Sequence, residues 1–246
     1  PDILPNNAED YRFIETDIRN EADVKHLFEE VQPDVVINCS ALSVPDYCET
    51  HHEEAYLTNV TAVGQLADLC KKHKSRFIHL STDFVFDGKL NEAAGLLYTE
   101  EDLPAPVNYY GYTKWKGEER VAETCSSYAI VRVEIVYGKA LPGQHGNIVQ
   151  LVMNRLKAGQ EIRVVSDQWR TPTYVGDVSD GVQRLIEHTT NGIFHICGDE
   201  CMTIAEITYQ VADCMKLDRS LIHPATTEEM NESTPRPRFS GMSIDK

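Results

Sequence analysis

The octapeptide Asp34-Val-Val-Ile-Asn-Cys-Ser-Ala41 is a short apolar run closed by small and polar residues. A run without polar alternation is the pattern of a strand buried on both faces, as in a parallel sheet. Just downstream, Ala55, Val60, Val63, Leu66, Ala67, Leu69 and Cys70 recur at near-helical spacing and predict a helix over 53–73. A second strand follows at 76–82, ending in Ser81 and Thr82. A loop rich in glycine, proline and acids covers 87–108, a helix 110–124, and a third buried strand 128–137, ended by Gly138. Strand, helix, strand, helix, strand at these spacings predicts an α/β fold, a doubly wound parallel sheet with helices on its faces.

Further helices are expected at 147–158, 177–188 and 203–215, with strands at 162–165 and 192–197. The chain divides in this reading into a nucleotide-binding domain over 1–138 and a smaller, mostly C-terminal α/β substrate lobe over 139–246. A segment of about 171–190 returns to the first domain. Ligands of a doubly wound sheet sit at the carboxyl ends of its strands, so 38–41, 81–83 and 134–138 are where chemistry belongs.

Composition narrows the function classes. The formal net charge of −16 over 246 residues argues against a nucleic-acid binder, which needs a basic face. A few arginines in a cleft still allow an anionic small substrate. No apolar run is long enough to span a bilayer. Seven cysteines without paired spacing read as reduced thiols of a cytoplasmic protein. Cys48, His51 and His52 read as a polar helix start rather than a metal cluster, because no second ligand pair stands at zinc spacing.

The stretch Asn108-Tyr-Tyr-Gly-Tyr-Thr-Lys-Trp-Lys116 holds two overlapping Tyr-x-x-x-Lys pairs. Residues four and seven apart share a helix face. Tyr110 and Lys114 continue into Gly117, Val121 and Cys125, a packing face; Tyr112 and Lys116 continue into Glu119 and Glu123, a solvated one. The inward pair is therefore the candidate acid–base device. A phenol titrates too high to work at neutral pH, and an ammonium one turn away stabilises its phenolate. Thr82, at its strand end, is placed to orient a carbonyl or alcohol. The alternative is a buried tyrosine that merely hydrogen-bonds a lysine.

The ordered set Asn38-Cys-Ser-Ala41, Ser81-Thr-Asp-Phe-Val-Phe-Asp-Gly88, Tyr110-Gly-x-Thr-Lys114-x-x-Gly-Glu118, Arg132 to Tyr137-Gly138 and Pro172-Thr to Asp177 resembles the extended short-chain dehydrogenase/reductases. The branch resembled is that of dTDP-4-dehydrorhamnose reductase, over nearly the whole chain. The resemblance implies a Rossmann-like fold, NAD or NADP as cofactor and a nucleotide-sugar substrate. It implies Thr82, Tyr110 and Lys114 as the catalytic set. It puts Asp17, Ile18, Cys39, Ser40, Ala41, Asn59, Ser81, Tyr110 and Lys114 on the cofactor. Thr82, Asp83, Phe84, Ile135, Arg170, Arg236 and Arg238 fall on the substrate side, the arginines as forks for a diphosphate.

Departures from the branch carry alternatives. No glycine-rich phosphate loop is present, so the chain is expected to lack the first strand-helix-strand of the family and to stop short of its relatives' C-terminus. Ile135 stands where such reductases carry tryptophan, Phe84 where tyrosine is common, and Arg170 where glycine is common. These variants, with Glu100-Glu-Asp-Leu-Pro-Ala-Pro106 and the Arg-Pro-Arg ending, also resemble the regulatory β subunit of methionine adenosyltransferase. The expectation is thus NAD(P)-dependent reduction of a 4-keto group on a dTDP-type deoxysugar. A non-catalytic dinucleotide-binding subunit of a partner enzyme and a nucleotide-sugar epimerase or dehydratase are the alternatives. A homodimer is the other association that the resemblance allows.

Overall fold

The computed structural model describes residues 12–89, 96–139 and 146–246. Helix α1 (Glu21–Val31) starts where the Asn20 side chain accepts the amides of Ala22 and Asp23. Strand β1 (Val35–Asn38) leads to α2 (Pro45–Thr50), which has Pro45 in its first turn, where its missing N–H does no harm. The helix expected over 53–73 is three pieces: α3 (His52–Tyr56), a π-helical turn at Leu57–Thr61, and α4 (Ala62–His73). Strand β2 (Arg76–Thr82) runs into a 3₁₀ turn at Asp83–Val85, and α5 (Tyr109–Thr124) connects to β3 (Tyr128–Val133).

The chain then leaves the main sheet through β4 (Val136–Tyr137), α6 (Ile148–Lys157), β5 (Ile162–Val165), β6 (Trp169–Arg170) and β7 (Thr173–Tyr174). It returns by α7 (Val175–Glu187) to β8 (Gly192–His195). Beyond lie β9 (Met202–Thr203), α8 (Ile204–Met215), β10 (Ile222–Ala225) and α9 (Thr227–Met230).

The main sheet has the order β1-β2-β3-β8, parallel throughout. Its two faces are both covered. Val24 and Phe28 of α1, Val63, Leu66 and Leu69 of α4 and Val121 of α5 pack on Phe77 and Ile130. From the opposite side, Val182 and Leu185 of α7 pack on Ile78, Ala129 and Val131. Burial on both faces is why these strands read as uninterrupted apolar runs. A separate core of Val152, Leu156, Ile162, Val164, Ala205, Ala212 and Ile222 joins α6 and α8 to the parallel pair β5 and β10. This is the C-terminal lobe.

Two expectations are corrected here. The strand expected over 128–137 breaks after Val133, because Ile135 has φ 39°. A β-branched residue is strained in the left-handed region. The surroundings impose the bend: Thr173 Oγ1 donates to the Glu134 carbonyl at 2.6 Å, and β4 pairs with β7 instead of continuing beside β8. Secondly, the segment returning to the sheet extends past 190, since β8 pairs with β3 up to His195.

Candidate active site

Asn108 caps α5 by accepting the Gly111 amide at 2.8 Å, and its own amide donates to the Pro235 carbonyl at 2.8 Å. Helix α5 is thereby tied to the C-terminal segment. Gly111 has a specific steric reason, since a Cβ there would lie 2.1 Å from the Phe84 carbonyl oxygen. That close approach sets the start of α5 against the end of β2. Tyr110 and Lys114 are 9% and 2% exposed, whereas Tyr112 is 36% exposed. Lys116 pairs with Glu119 at 2.6 Å on the outer face and lies over the Trp115 ring.

Two hydroxyls of the expected set meet at the carboxyl end of β2, and the expected lysine reaches the same strand two residues earlier. The Tyr110 phenol meets the Thr82 hydroxyl, with the Phe84 ring 5.5 Å from the Tyr110 ring, edge to face. Lys114 Nζ donates to the Leu80 carbonyl at 2.7 Å and lies 3.4 Å from His79 Nε2. The other nitrogen, Nδ1 of His79, lies 3.1 Å from Asn38 Nδ2, so a fully buried imidazole underlies the lysine. Burial, then the Lys114 charge, holds His79 well below its ordinary range. Burial also brings Lys114 down to about 8.

Tyr110 departs from the sequence reading. Burial pushes its phenol up, with a hydrogen bond to Thr82 as the opposing influence. The lowering expected from Lys114 is absent: the groups that act on the phenol besides Thr82 are Asp83 and Cys48, and both push it further up.

On the cofactor side, Cys39 and Ser40 are exposed just past β1, and the Ser40 amide donates to Asn38 Oδ1 at 3.0 Å. Ala41 follows, half-buried. Ile18, Ile37 and Ser40 line a groove of about 410 Å³ along the outer edge of β1. Asp17 stands on the surface, where hydrogen bonds from Arg19 hold its carboxyl down at about 2.

Two of the expected cofactor residues have their side chains turned inward. Asn59 is fully buried within the π-turn. Its oxygen accepts the Leu42 amide, and its amide donates to the Leu42 carbonyl and Thr113 Oγ1. Both of its donors and its carbonyl oxygen hold the 39–42 loop against α5. Ser81 is likewise turned inward, donating to Glu118. Lys114 differs from both: an ammonium has three donors, and its protein partners here are the Leu80 carbonyl and His79. With the exposed backbone at Cys39 and Ser40, it fits the ribose next to a nicotinamide.

On the substrate side the structure separates the three arginines. Arg170 is 2% exposed and lies 3.6 Å from Asp83 and 3.5 Å from Glu134. Its remaining donors reach the carbonyls of Trp169, Arg238 and Pro237 and Gln168 Oε1. The expected diphosphate role is therefore corrected: the guanidinium is buried facing two acids of the protein itself. Arg236 pairs with Asp46 and Glu232, and Arg238 with Asp167, the latter arginine 55% exposed. These two keep surface from which a diphosphate could be approached. Ile135 is half-buried beside the bend.

Reading the residues alone missed Glu118, Arg132, Glu134 and Ser240. Arg132 donates to both oxygens of Glu118, at 3.0 and 2.7 Å, with both side chains buried. Ser240 bridges Asp83 and Glu134. One signal was available: Arg132 and Glu134 are charges at alternate positions of an otherwise apolar strand, and buried charges demand partners.

The RmlD substrate binding domain family matches residues 4–246. The chain is 32% identical over 233 residues to the probable low-salt glycan biosynthesis reductase Agl14 of Haloferax volcanii, covering 94% of this chain and 76% of that protein. It is 32% identical to methionine adenosyltransferase 2 subunit beta of Danio rerio, covering 95% of this chain and 72% of that one. Its fold superposes on dTDP-4-dehydrorhamnose reductase of Bacillus anthracis, solved in complex with NADP, with a TM-score of 0.88 at 30% identity. That match covers 96% of this chain and 81% of the other. Motifs, parallel sheet and similarity agree: the chain belongs to the RmlD substrate-binding-domain family and shares the Rossmann-like fold of the dTDP-4-dehydrorhamnose reductases.

Proposed function

We propose that the protein is an NAD(P)-dependent oxidoreductase that reduces the 4-keto group of a nucleotide-activated deoxysugar, of the dTDP type. The observation that carries this reading is the bond between the Tyr110 phenol and the Thr82 hydroxyl at the carboxyl end of β2, with Lys114 one turn on bonded to the Leu80 carbonyl of the same strand. NAD(P)H, when bound, supplies the hydride. The residues supply the rest. Tyr110 is a buried neutral phenol, and a phenol held neutral is a proton donor, the form that the reductive direction requires. Thr82 orients the substrate oxygen, and Lys114 holds the ribose and offsets charge left on Tyr110. Phe84 and Ile135 shape the sugar side, while Arg236 and Arg238 take the diphosphate.

The test is NAD(P)H oxidation with dTDP-4-keto-6-deoxyhexoses, for the full-length protein and its Tyr110→Phe variant. Turnover that falls by about 10²–10⁴ in the variant supports the reading. Absence of turnover across nucleotide sugars, or equal turnover in the variant, overturns it.

Similarity to a methionine adenosyltransferase β subunit favours a second reading, a dinucleotide-binding regulatory subunit. It predicts dinucleotide binding without turnover and a stoichiometric complex with a second enzyme. A pull-down that recovers no stoichiometric partner counts against it.

A further inference from the structure

Beneath Thr82 lies a dry polar cluster that the reaction as described does not use. Asp83, Glu134, Arg170, Thr171 and Ser240 are each 3% exposed or less. The Ser240 hydroxyl is 2.6 Å from Asp83 Oδ2 and 2.9 Å from Glu134 Oε1. A hydroxyl carries one proton and cannot donate to both. With both carboxyls ionised, one of these contacts would press two oxygen lone pairs together without water between them. One guanidinium, Arg170, faces the two acids, so two ionised carboxylates would also leave a net buried charge. A single shared proton removes both conflicts.

The distances say where it resides. The 2.6 Å contact to Asp83 is in the range of a hydroxyl donating to a carboxylate, and on Glu134 the Thr171 amide and hydroxyl occupy Oε2, which leaves Oε1, facing Ser240, to carry the proton. Glu134 Oε1 then donates to Ser240, and Ser240 donates to Asp83. Thr171 donates its amide and hydroxyl to Glu134 Oε2, which lowers the carboxyl and opposes this arrangement, and the other groups facing Glu134 are Cys197 and Cys201, neither of them cationic. Burial, then the neighbouring Asp83, pushes the Glu134 carboxyl well above its ordinary range, in agreement with this arrangement. On its far side, Asp83 Oδ1 accepts the Thr82 hydroxyl at 3.0 Å. If Asp83 depended on Thr82 alone, turning that hydroxyl toward a substrate would strip a buried carboxylate of its donor. The bond from Ser240 removes this dependence.

We propose that Glu134 is a neutral acid which, through Ser240, keeps Asp83 hydrogen-bonded and so releases the Thr82 hydroxyl to the substrate oxygen. Glu134 and Ser240 are thus positioning residues. The catalytic part of this inference rests on the proposed reductase reading; the shared proton does not.

Infrared difference spectra of wild type against Glu134→Gln at pH 7 test the proton directly. The carbonyl band of a protonated carboxylic acid is expected to vanish in the variant; loss of carboxylate bands instead overturns the proposal. Thermal unfolding gives a second readout. The folded protein holds a proton that an unfolded glutamate releases above the ordinary carboxylate range, so wild-type stability falls as pH rises. Glu134→Gln is expected to melt higher than wild type at pH 8, the gap shrinking toward pH 5; a constant gap, or a lower midpoint, contradicts the shared proton.

For positioning, Glu134→Ala is expected to lose about tenfold or more in kcat/KM, and Glu134→Gln, which retains a donor, to recover most of it. An alanine variant that folds and keeps wild-type kcat/KM removes the positioning role while leaving the infrared result standing. Should the alanine variant fail to fold, Ser240→Ala gives the same reading. Failure of wild type to turn over any nucleotide sugar would instead remove the reductase reading.

Discussion

The two long faces of α5 carry the same Tyr-x-x-x-Lys spacing and have opposite physics. Inward, Tyr110, Lys114, Glu118 and Val121 are all buried. Outward, Tyr112 and Lys116 sit at the surface, and Lys116 finds Glu119 one turn on. On the inner face a charge must be matched at short range or titrated away. Glu118 meets Arg132, while Lys114 finds a carbonyl and a neutral imidazole and is brought down to about 8. On the outer face solvent screens the charges, and an ion pair of this kind contributes about 0–1 kcal/mol. The pattern therefore acquires chemistry from its environment, and identical spacing carries none by itself.

That contrast can be broken most severely at the buried ion pair. Arg132→Met leaves Glu118 buried without its guanidinium partner, and is expected to cost about 3–5 kcal/mol in denaturant unfolding. Replacing both partners by methionine should restore most of that stability, because no uncompensated charge remains.

Lys114→Met is expected to act in the opposite direction. The folded lysine titrates near 8 rather than 10.5, so its charge is disfavoured in the folded state below that pH. The variant should gain roughly 2–3 kcal/mol at pH 7, one pKa unit being about 1.36 kcal/mol. The gain should shrink as pH rises from 8 towards 10.5, where the unfolded lysine also loses its proton. A variant less stable than wild type at pH 7, or with a gain independent of pH, would show that desolvation does not govern this lysine.

Asn108→Ala removes the α5 cap and the bond to Pro235, with an expected loss of about 1 kcal/mol by thermal unfolding. Tyr112→Phe and Lys116→Ala should each stay within about 0.5 kcal/mol of wild type in the same measurement.

The parallel sheet was legible because β2 and β3 are covered on both faces, which removes polar residues from most of their length, and β1 keeps the same apolar pattern although Ile37 is exposed. The helix faces of α5 were legible for the same reason, since burial fixes periodicity. What could not be read is where a continuous run bends. Residues 128–137 look like one strand, yet the side chain and carbonyl of Glu134 are held by Thr171, Thr173 and Ser240, more than thirty residues away. Such bonds leave no local trace. Arg170 was misjudged for a related reason. A sequence shows that an arginine is present and not whether two acids, Asp83 and Glu134, already claim it. The orientation of Asn59 and Ser81 depends on partners from Leu42, Thr113 and Glu118, which no local pattern reveals.

The central claim is that the inner face of α5 donates the proton of a reduction and the outer face does not. It is tested most directly by NAD(P)H oxidation with dTDP-4-keto-6-deoxyhexoses, comparing Tyr110→Phe with Tyr112→Phe. The account expects a loss of about 10²–10⁴ in kcat for the first variant and wild-type rates for the second. Equal rates in the two variants would contradict it.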